Sequence, residues 1–199
     1  MQQGIRAGAA LILGARLLPV PLALAGLLTS GALSAAPPEL ERFFGAYVGV
    51  ATVEDLKTGE VRQRDMDIVI EPYRDDGFAI RWINVTLVDG RRDLPGVERR
   101  VQNVLFEQAG ERDMYVEVSE SNPFREREET RPMRGDPVRW ASLDGDTLHV
   151  YAFVVAEDGT YELQIYDRVL TEKGIDIEFQ RIVDDEVLRR ITGTTARAE

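Results

Sequence analysis

The sequence contains no cysteine and only one histidine, His149, among its 199 residues. Disulfides, thiolate metal sites and lipid-modified cysteines are therefore excluded. One histidine supported only by carboxylates is a poor ligand set for zinc. A hydrolytic triad would need His149 as its base, and the sequence has no Gly-x-Ser-x-Gly turn. These patterns predict no catalytic residue, no metal ligand and no cofactor, and an enzymatic activity is not expected.

Basic residues are also in the minority. The chain has 24 Lys and Arg against 35 Asp and Glu, which gives a formal net charge of −11. Proteins that bind nucleic acids present a basic surface to the phosphates. We therefore expect no nucleic-acid partner. A chain of this length is typical of a single domain.

Acidic residues are absent from residues 1–34, which carry Arg6, Arg16 and a strongly apolar run at 17–28. Two prolines in this run make it a poor transmembrane helix, so we interpret residues 1–34 as a cleaved signal peptide. An uncleaved membrane anchor is the alternative. The mature chain, 35–199, would then be a single exported domain, periplasmic or secreted, without a transmembrane segment.

The rest of the chain has the pattern of an all-β protein. After a short helical turn at 37–44, short segments of alternating apolar residues are separated by turn signals about every 8–12 residues. This spacing predicts an antiparallel up-and-down meander of about 8–10 strands. Closure into a barrel is expected because it leaves no unpaired sheet edge. Residues 121–136 are highly charged and predict a long polar loop.

The segment 147–192 allows strand pairing to be predicted residue by residue. The pattern predicts a two-residue loop at Asp158-Gly159, a three-residue loop at 172–174 and a two-residue turn at Asp184-Asp185. Residues directly opposite each other share a face of the sheet. The predicted inner face carries Asp167, Phe179, Arg181 and Arg190. The predicted outer face carries His149, Tyr151, Phe153 and Tyr166.

The inner cluster of Asp167, Arg181 and Arg190 has two interpretations. In the structural one, Asp167 pairs with Arg181 while Arg190 packs on the ring of Tyr47, since buried charges occur when they are paired. In the functional one, two arginines against one aspartate leave donors free to bind the carboxylate of an amphipathic ligand. The candidate ligand-binding residues are Arg181, Arg190, Asp167, Phe179 and Tyr47.

The helical turn followed by Gly45-Ala46-Tyr47, and then a strand series ending in Arg190, resembles the calycin group of lipocalins and fatty-acid-binding proteins. Lipocalins begin with Gly-x-Trp after a short helical turn, and a basic residue of a closing strand commonly covers that ring. Here tyrosine replaces the tryptophan, and no Thr-Asp-Tyr pattern occurs in mid-chain. The resemblance implies that Arg190 covers Tyr47 and that the barrel binds a small apolar or amphipathic molecule.

The alternative is a structural or interaction module without enzymatic activity. Its barrel would be filled by side chains, and an aromatic patch formed by Tyr151, Tyr166 and Phe153 would bind a partner protein, because exposed apolar patches often mark contact sites. Trp140 is a further candidate for this patch. The size of the cavity inside the barrel distinguishes the two functions.

Overall fold

The computed structural model describes residues 36–110, 113–118, 132 and 135–198. The predicted signal peptide and most of the predicted loop 121–136 lie outside these residues. The elements are α1 Pro38–Glu41, β1 Gly45–Asp55, β2 Glu60–Tyr73, β3 Gly77–Thr86, β4 Glu98–Gln108, β5 Met114–Val118, β6 Val138–Asp144, β7 Thr147–Val155, β8 Tyr161–Leu170, β9 Ile175–Val183 and β10 Glu186–Arg197. No helix in this part of the chain is long and apolar enough to cross a membrane.

The ten strands form a closed antiparallel barrel. Each strand pairs with its neighbours in sequence, and β1 pairs with β10 to complete the ring. The predicted fold class, an all-β meander closed into a barrel after a short helical turn, is confirmed. The alternation of the predicted strands is also confirmed, since Met66, Ile68 and Ile70 of β2 are all buried inside.

The two ends of the barrel differ in packing. The end that carries α1 is filled by fully buried side chains, namely Leu40, Phe43, Tyr47, Phe78, Phe106, Tyr115, Leu148 and Ile175. The ring of Phe78 lies 4.9 Å from that of Phe106 and 5.3 Å from that of Tyr115. At the opposite end, strands β2, β4, β8 and β10 begin with polar and charged residues. In the part of the chain that the structure describes, apolar packing therefore closes the end of the barrel that carries α1.

The loop between β7 and β8 differs from the predicted one. The Ala156 N–H donates to the Thr160 carbonyl at 2.8 Å, and Gly159 adopts a φ of +89°. This is a three-residue bulged loop, whereas the sequence pattern predicts a two-residue loop. The pairing therefore moves by one residue and places His149 opposite Asp167. A shift of one residue moves every side chain of β8 to the other face.

The loop between β8 and β9 shifts the pairing a second time. The Thr171 N–H donates to the Gly174 carbonyl at 2.9 Å, so this loop has two residues instead of the predicted three. The two shifts cancel at β9, where Phe179 and Arg181 face inward as predicted. Only the first shift affects β8, so Arg168 faces inward there and Asp167 faces outward.

The turn between β9 and β10 has the predicted two residues, Asp184 and Asp185, both with positive φ. A β-bulge between Val187 and Arg189 then shifts the pairing by one residue. Arg189 therefore lies opposite Arg181 on the inner face. Arg190 consequently points outward and is exposed. The prediction that Arg190 faces the lumen is wrong because the bulge adds one residue to the strand.

Candidate functional site

A cavity of about 580 Å³ lies inside the barrel, in the half away from α1. This volume is within the range of ordinary ligand pockets. One side of the cavity is apolar and is formed by Met66, Ile68, Trp82, Ile177, Phe179 and Ile191. Among the described residues, five arginines also line it, Arg64, Arg100, Arg168, Arg181 and Arg189, and no acidic residue does. The lumen of this acidic protein is therefore basic.

Arg168 of β8 is the deepest of these arginines. It is only 2% exposed, and its Nε and Nη1 atoms are buried without a hydrogen-bond partner among the described residues. Burial lowers the pKa of its guanidinium to about 10. A buried charge without a partner costs several kcal/mol relative to a charge in water. An anion bound at this position would remove much of that cost.

Aromatic rings surround Arg168. Its guanidinium carbon lies 5.4 Å from the centre of the Trp82 ring and 5.5 Å from that of Tyr166. The ring of Tyr166 lies 5.7 Å from Trp82 and 4.5 Å from Phe179. Strands β3 and β8 lie on opposite sides of the ring of strands, so Trp82 meets Arg168 and Tyr166 across the lumen. These side chains form the cavity floor, above the packed apolar end.

The mouth of the cavity carries the other arginines. The Nε atoms of Arg64 and Arg189 are buried and lack hydrogen-bond partners in the described structure. The pKa of Arg64 is lowered, first by burial and then by the positive charges of Arg189 and Arg100. The carboxylate of Asp55 is 3.8 Å from Arg189, too far for a hydrogen bond. Arg64 and Arg189 thus have donors available for a ligand.

Arg181 differs from these arginines, because it holds a close ion pair with a partly buried carboxylate. Its Nη2 donates to Glu162 Oε2 at 2.6 Å. This bond lowers the pKa of Glu162 and raises the pKa of Arg181. Arg181 and Phe179 thus line the cavity on the predicted face, and their role in ligand binding stays a prediction.

The remaining predicted site residues lie elsewhere. Asp167 faces outward and pairs with His149, whose Nδ1 is 2.7 Å from its Oδ1. Arg190 lies outside, opposite Gln180 and Glu54. Tyr47 is fully buried in the packed end, below the cavity. The predicted cluster of Asp167 with Arg181 and Arg190 therefore does not form.

Sequence reasoning missed Arg64, Arg168 and Arg189. Arg64 could have been found, because it alternates with the inward-facing Met66 and continues the same face of β2. Trp82 follows the same rule on β3, two residues after the buried Ile80. The orientations of Arg168 and Arg189 depend on a loop length and on a bulge, so alternation alone does not give them.

The outer face carries an aromatic stack, as the sequence predicts in part. The rings of Trp140 and Tyr151 stack at 5.0 Å, and His149 continues the stack at 6.1 Å from Tyr151. Phe153 also faces outward and contacts Tyr161. The inclusion of Tyr166 in this patch is wrong, because the register shift of β8 places it on the cavity floor.

The fold and the lumen together define a closed ten-stranded antiparallel barrel with an arginine-lined cavity. The sequence matches no protein-family model and no curated protein. Among solved structures, it is similar to an S-type phycobiliprotein lyase from Guillardia theta, with a TM-score of 0.35 and 12% sequence identity. The alignment covers 80% of this chain and 90% of the lyase chain. The function is therefore inferred from the residues of the lumen.

Proposed function

We propose that this barrel binds a small amphipathic anion, such as a carboxylate with an apolar body, inside its lumen. The observation that carries the proposal is the guanidinium of Arg168, which is buried at the cavity floor with two unpartnered nitrogen atoms. A protein that keeps such a charge in its interior gains stability when an anion binds there. The apolar cavity wall would take the body of the ligand.

The character of the lumen supports a bound molecule over a filled interior. Ligand pockets combine apolar walls with a few well-placed polar groups, and this cavity combines aliphatic and aromatic residues with unpaired guanidinium donors. Charge-assisted hydrogen bonds from arginine to a carboxylate are among the strongest in proteins. A neutral apolar ligand would leave Arg168 without a partner, so an anionic ligand fits better.

The experiment compares a fluorescent polyene fatty acid with its methyl ester, which has the same body and no charge. We expect the acid to bind and the ester to bind at least about 10-fold more weakly, because a hydrogen bond to a charged group contributes about 1.5–3 kcal/mol. Arg168→Met should remove this difference. Equal binding of acid and ester by the unaltered protein, or unchanged acid binding by Arg168→Met, would contradict the proposal.

Arg190→Met is the matched control. It removes one arginine from the outer face of β10 and leaves the lumen intact, because Arg190 is exposed and pairs across the sheet with Gln180. The affinity for the acid should therefore stay unchanged in this variant. A loss of affinity similar to that of Arg168→Met would show that only the net charge of the protein matters.

Export remains part of the proposal. It is supported by the apolar, acid-free segment 1–34 and by the prediction that this segment is a cleaved signal peptide. The calycin group stays the proposed relationship, on the helical turn and on the residues around Tyr47. Mass spectrometry of protein purified from its own host tests export and ligand binding together, since it reports the mature N-terminus and any retained mass.

The aromatic stack of Trp140, Tyr151 and His149 is the place where a partner protein would bind in the second candidate function. These side chains are half-buried on the outer face, and aromatic residues are enriched at protein interfaces. This function does not need the lumen, so it is tested separately. Tyr151→Ser should abolish binding to a partner captured by the unaltered protein while Arg168→Met retains it.

A further inference from the structure

The lumen arginines with unpartnered nitrogen atoms lie at two heights along the barrel, called here the floor level and the mouth level. Arg168 lies two residues before the end of β8 on the side of the packed end, and Arg64 lies four residues after the start of β2 at the opposite side. Arg168 belongs to the cavity floor, whereas Arg64 is near Arg189 and Arg100 at the mouth. The two groups of arginines therefore lie at different heights in the lumen.

The strand pairing connects the two levels by a continuous row. Arg168 lies opposite Ile177, which lies opposite Gly193. Gly193 lies opposite Ala51, and Ala51 lies opposite Arg64. Four steps between strands of about 4.8 Å each give a path of roughly 19 Å along the curved wall, and the two backbones are closer than this across the lumen. The strands of a barrel tilt, so the row runs from the floor towards the mouth.

The residues between the two arginines of this row are small or apolar. Ile177 is buried, and Gly193 and Ala51 add almost no side-chain volume. Ile177 also lines the cavity, next to Ile191 and Met66. On this side of the cavity the lining between the two levels is apolar and consists of Met66, Ile68, Ile177 and Ile191, which suits a hydrocarbon segment.

We infer that the ligand carries two anionic groups at opposite ends of an apolar segment, one bound by Arg168 at the floor and the other by Arg64 and Arg189 at the mouth. This inference rests on the proposed function, because it names the class of molecule that the same lumen binds. Each guanidinium would use nitrogen atoms that have no partner among the described residues. The ligand class is thus a long dicarboxylate or a similar elongated dianion.

The test uses linear α,ω-dicarboxylic acids of increasing chain length, each compared with its own monomethyl ester by calorimetric titration. The ester has nearly the same length and one charge less. We expect the diacid to bind about 10-fold or more tightly than its monoester at one optimal chain length, because the second carboxylate gains a charge-assisted hydrogen bond. Shorter and longer diacids should show a smaller ratio.

Two variants assign the second anionic group to the mouth. Arg64→Met should lower the affinity ratio of diacid to monoester to about 1 at the optimal length, and Arg189→Met, the second variant, should also lower it. Arg190→Met, on the outer face, should leave the ratio unchanged. A ratio that is the same at every chain length would mean that a general positive field acts in place of a second site, and would overturn the inference.

The outcomes separate this inference from the proposed function. If diacid and monoester bind equally well and Arg168→Met weakens both, the lumen binds an amphipathic anion and the second anionic site is wrong. If neither compound binds at any chain length, both the inference and the proposed function are wrong. If Arg64→Met retains the full ratio, the second carboxylate does not contact the mouth, which also overturns the inference.

Discussion

Arg197 of the last strand lies across the ring of Tyr47 of the first. Its guanidinium carbon is 5.1 Å from the ring centre, and its Nη2 donates to the Tyr47 hydroxyl at 2.8 Å. Its Nη1 donates to the Phe44 carbonyl at 2.6 Å, and Nη2 also donates to the Arg42 carbonyl at 2.9 Å. Arg197 therefore links the segment after α1 to β10, the strand that closes the barrel, by hydrogen bonds.

Replacement of Arg197 by methionine should lower stability. The variant loses the hydrogen bonds to two carbonyl groups and the contact with Tyr47, which we expect to cost about 1–2 kcal/mol. Thermal unfolding should then occur about 3–6 °C lower. Arg190→Met is the control and should change the free energy of unfolding by less than about 0.5 kcal/mol. If Arg190→Met were less stable than Arg197→Met, Arg190 and not Arg197 would be the arginine that supports the Tyr47 ring.

Replacement of Arg168 by methionine should raise the stability of the ligand-free protein. A buried guanidinium without a carboxylate is unfavourable, and an apolar residue of similar volume is often stabilising by about 1–4 kcal/mol at such sites. Thermal unfolding of the ligand-free protein should therefore shift upward. Arg181→Met provides the comparison, because it leaves Glu162 without its ion pair and should destabilise. A lower melting temperature for Arg168→Met would indicate a structural role for this arginine.

The ion pair of Glu162 with Arg181 predicts a pH dependence of stability. The hydrogen bond from Arg181 lowers the pKa of Glu162 in the folded protein. The folded state thus binds this proton less readily than the unfolded state, so the pair stabilises the fold above the unfolded pKa of about 4.3. The contribution is lost as the pH falls through the lowered folded pKa.

Glu162→Gln isolates this contribution. Above about pH 5 the variant should be less stable than the unaltered protein by about 0.5–1 kcal/mol, since the pair is partly exposed. This difference should shrink as the pH is lowered towards 3. Chemical unfolding at several pH values measures it, and Glu98→Gln, at an exposed carboxylate, is the control. A difference that grows towards acid pH would have the wrong sign for the proposed pair.

The close approach of β1 to β10 at Gly49 gives a prediction for the fold itself. A Cβ atom at this position would lie 2.0 Å from the Thr194 carbonyl oxygen. Gly49→Ala should therefore push the closing strands apart and cost more than about 2 kcal/mol, as overpacking does. Gly59→Ala is the comparison, because no atom lies within 4 Å of its Cβ position and only its positive φ opposes the change. Denaturant unfolding measures the free energy of unfolding of both variants, and Gly49→Ala should lose more of it than Gly59→Ala.

Much of the fold is present in local sequence patterns. Alternation over Met66, Ile68 and Ile70 predicts an inward face, and turn signals predict an antiparallel meander. Barrel closure follows from the cost of unpaired edges. These features depend on periodicity and on the number of strands, so an error of one residue in a loop does not alter them.

The site was predicted less well than the fold, because it depends on which face of the sheet each side chain occupies, and a shift of one residue reverses that face. The Asp-Gly sequence at 158–159 is compatible with two loop lengths, and one added loop residue exchanged Asp167 for Arg168 on the inner face. The bulge before Arg189 had the same effect on β10. Neither the loop length nor the bulge has a residue pattern strong enough to be recognised in the sequence. Arg181 was placed on the correct face because two errors cancelled.

The contrast between an acidic chain and a basic lumen affects how quickly a ligand can arrive. An anion approaching from solution first meets the repulsion of a protein with net charge −11, and only near the mouth does it meet the attraction of Arg64 and Arg189. Dissolved salt screens charges in water much more than charges in a cavity. Raising the ionic strength should thus accelerate capture while leaving release slow, the reverse of the behaviour of a protein that steers anions with a positive exterior.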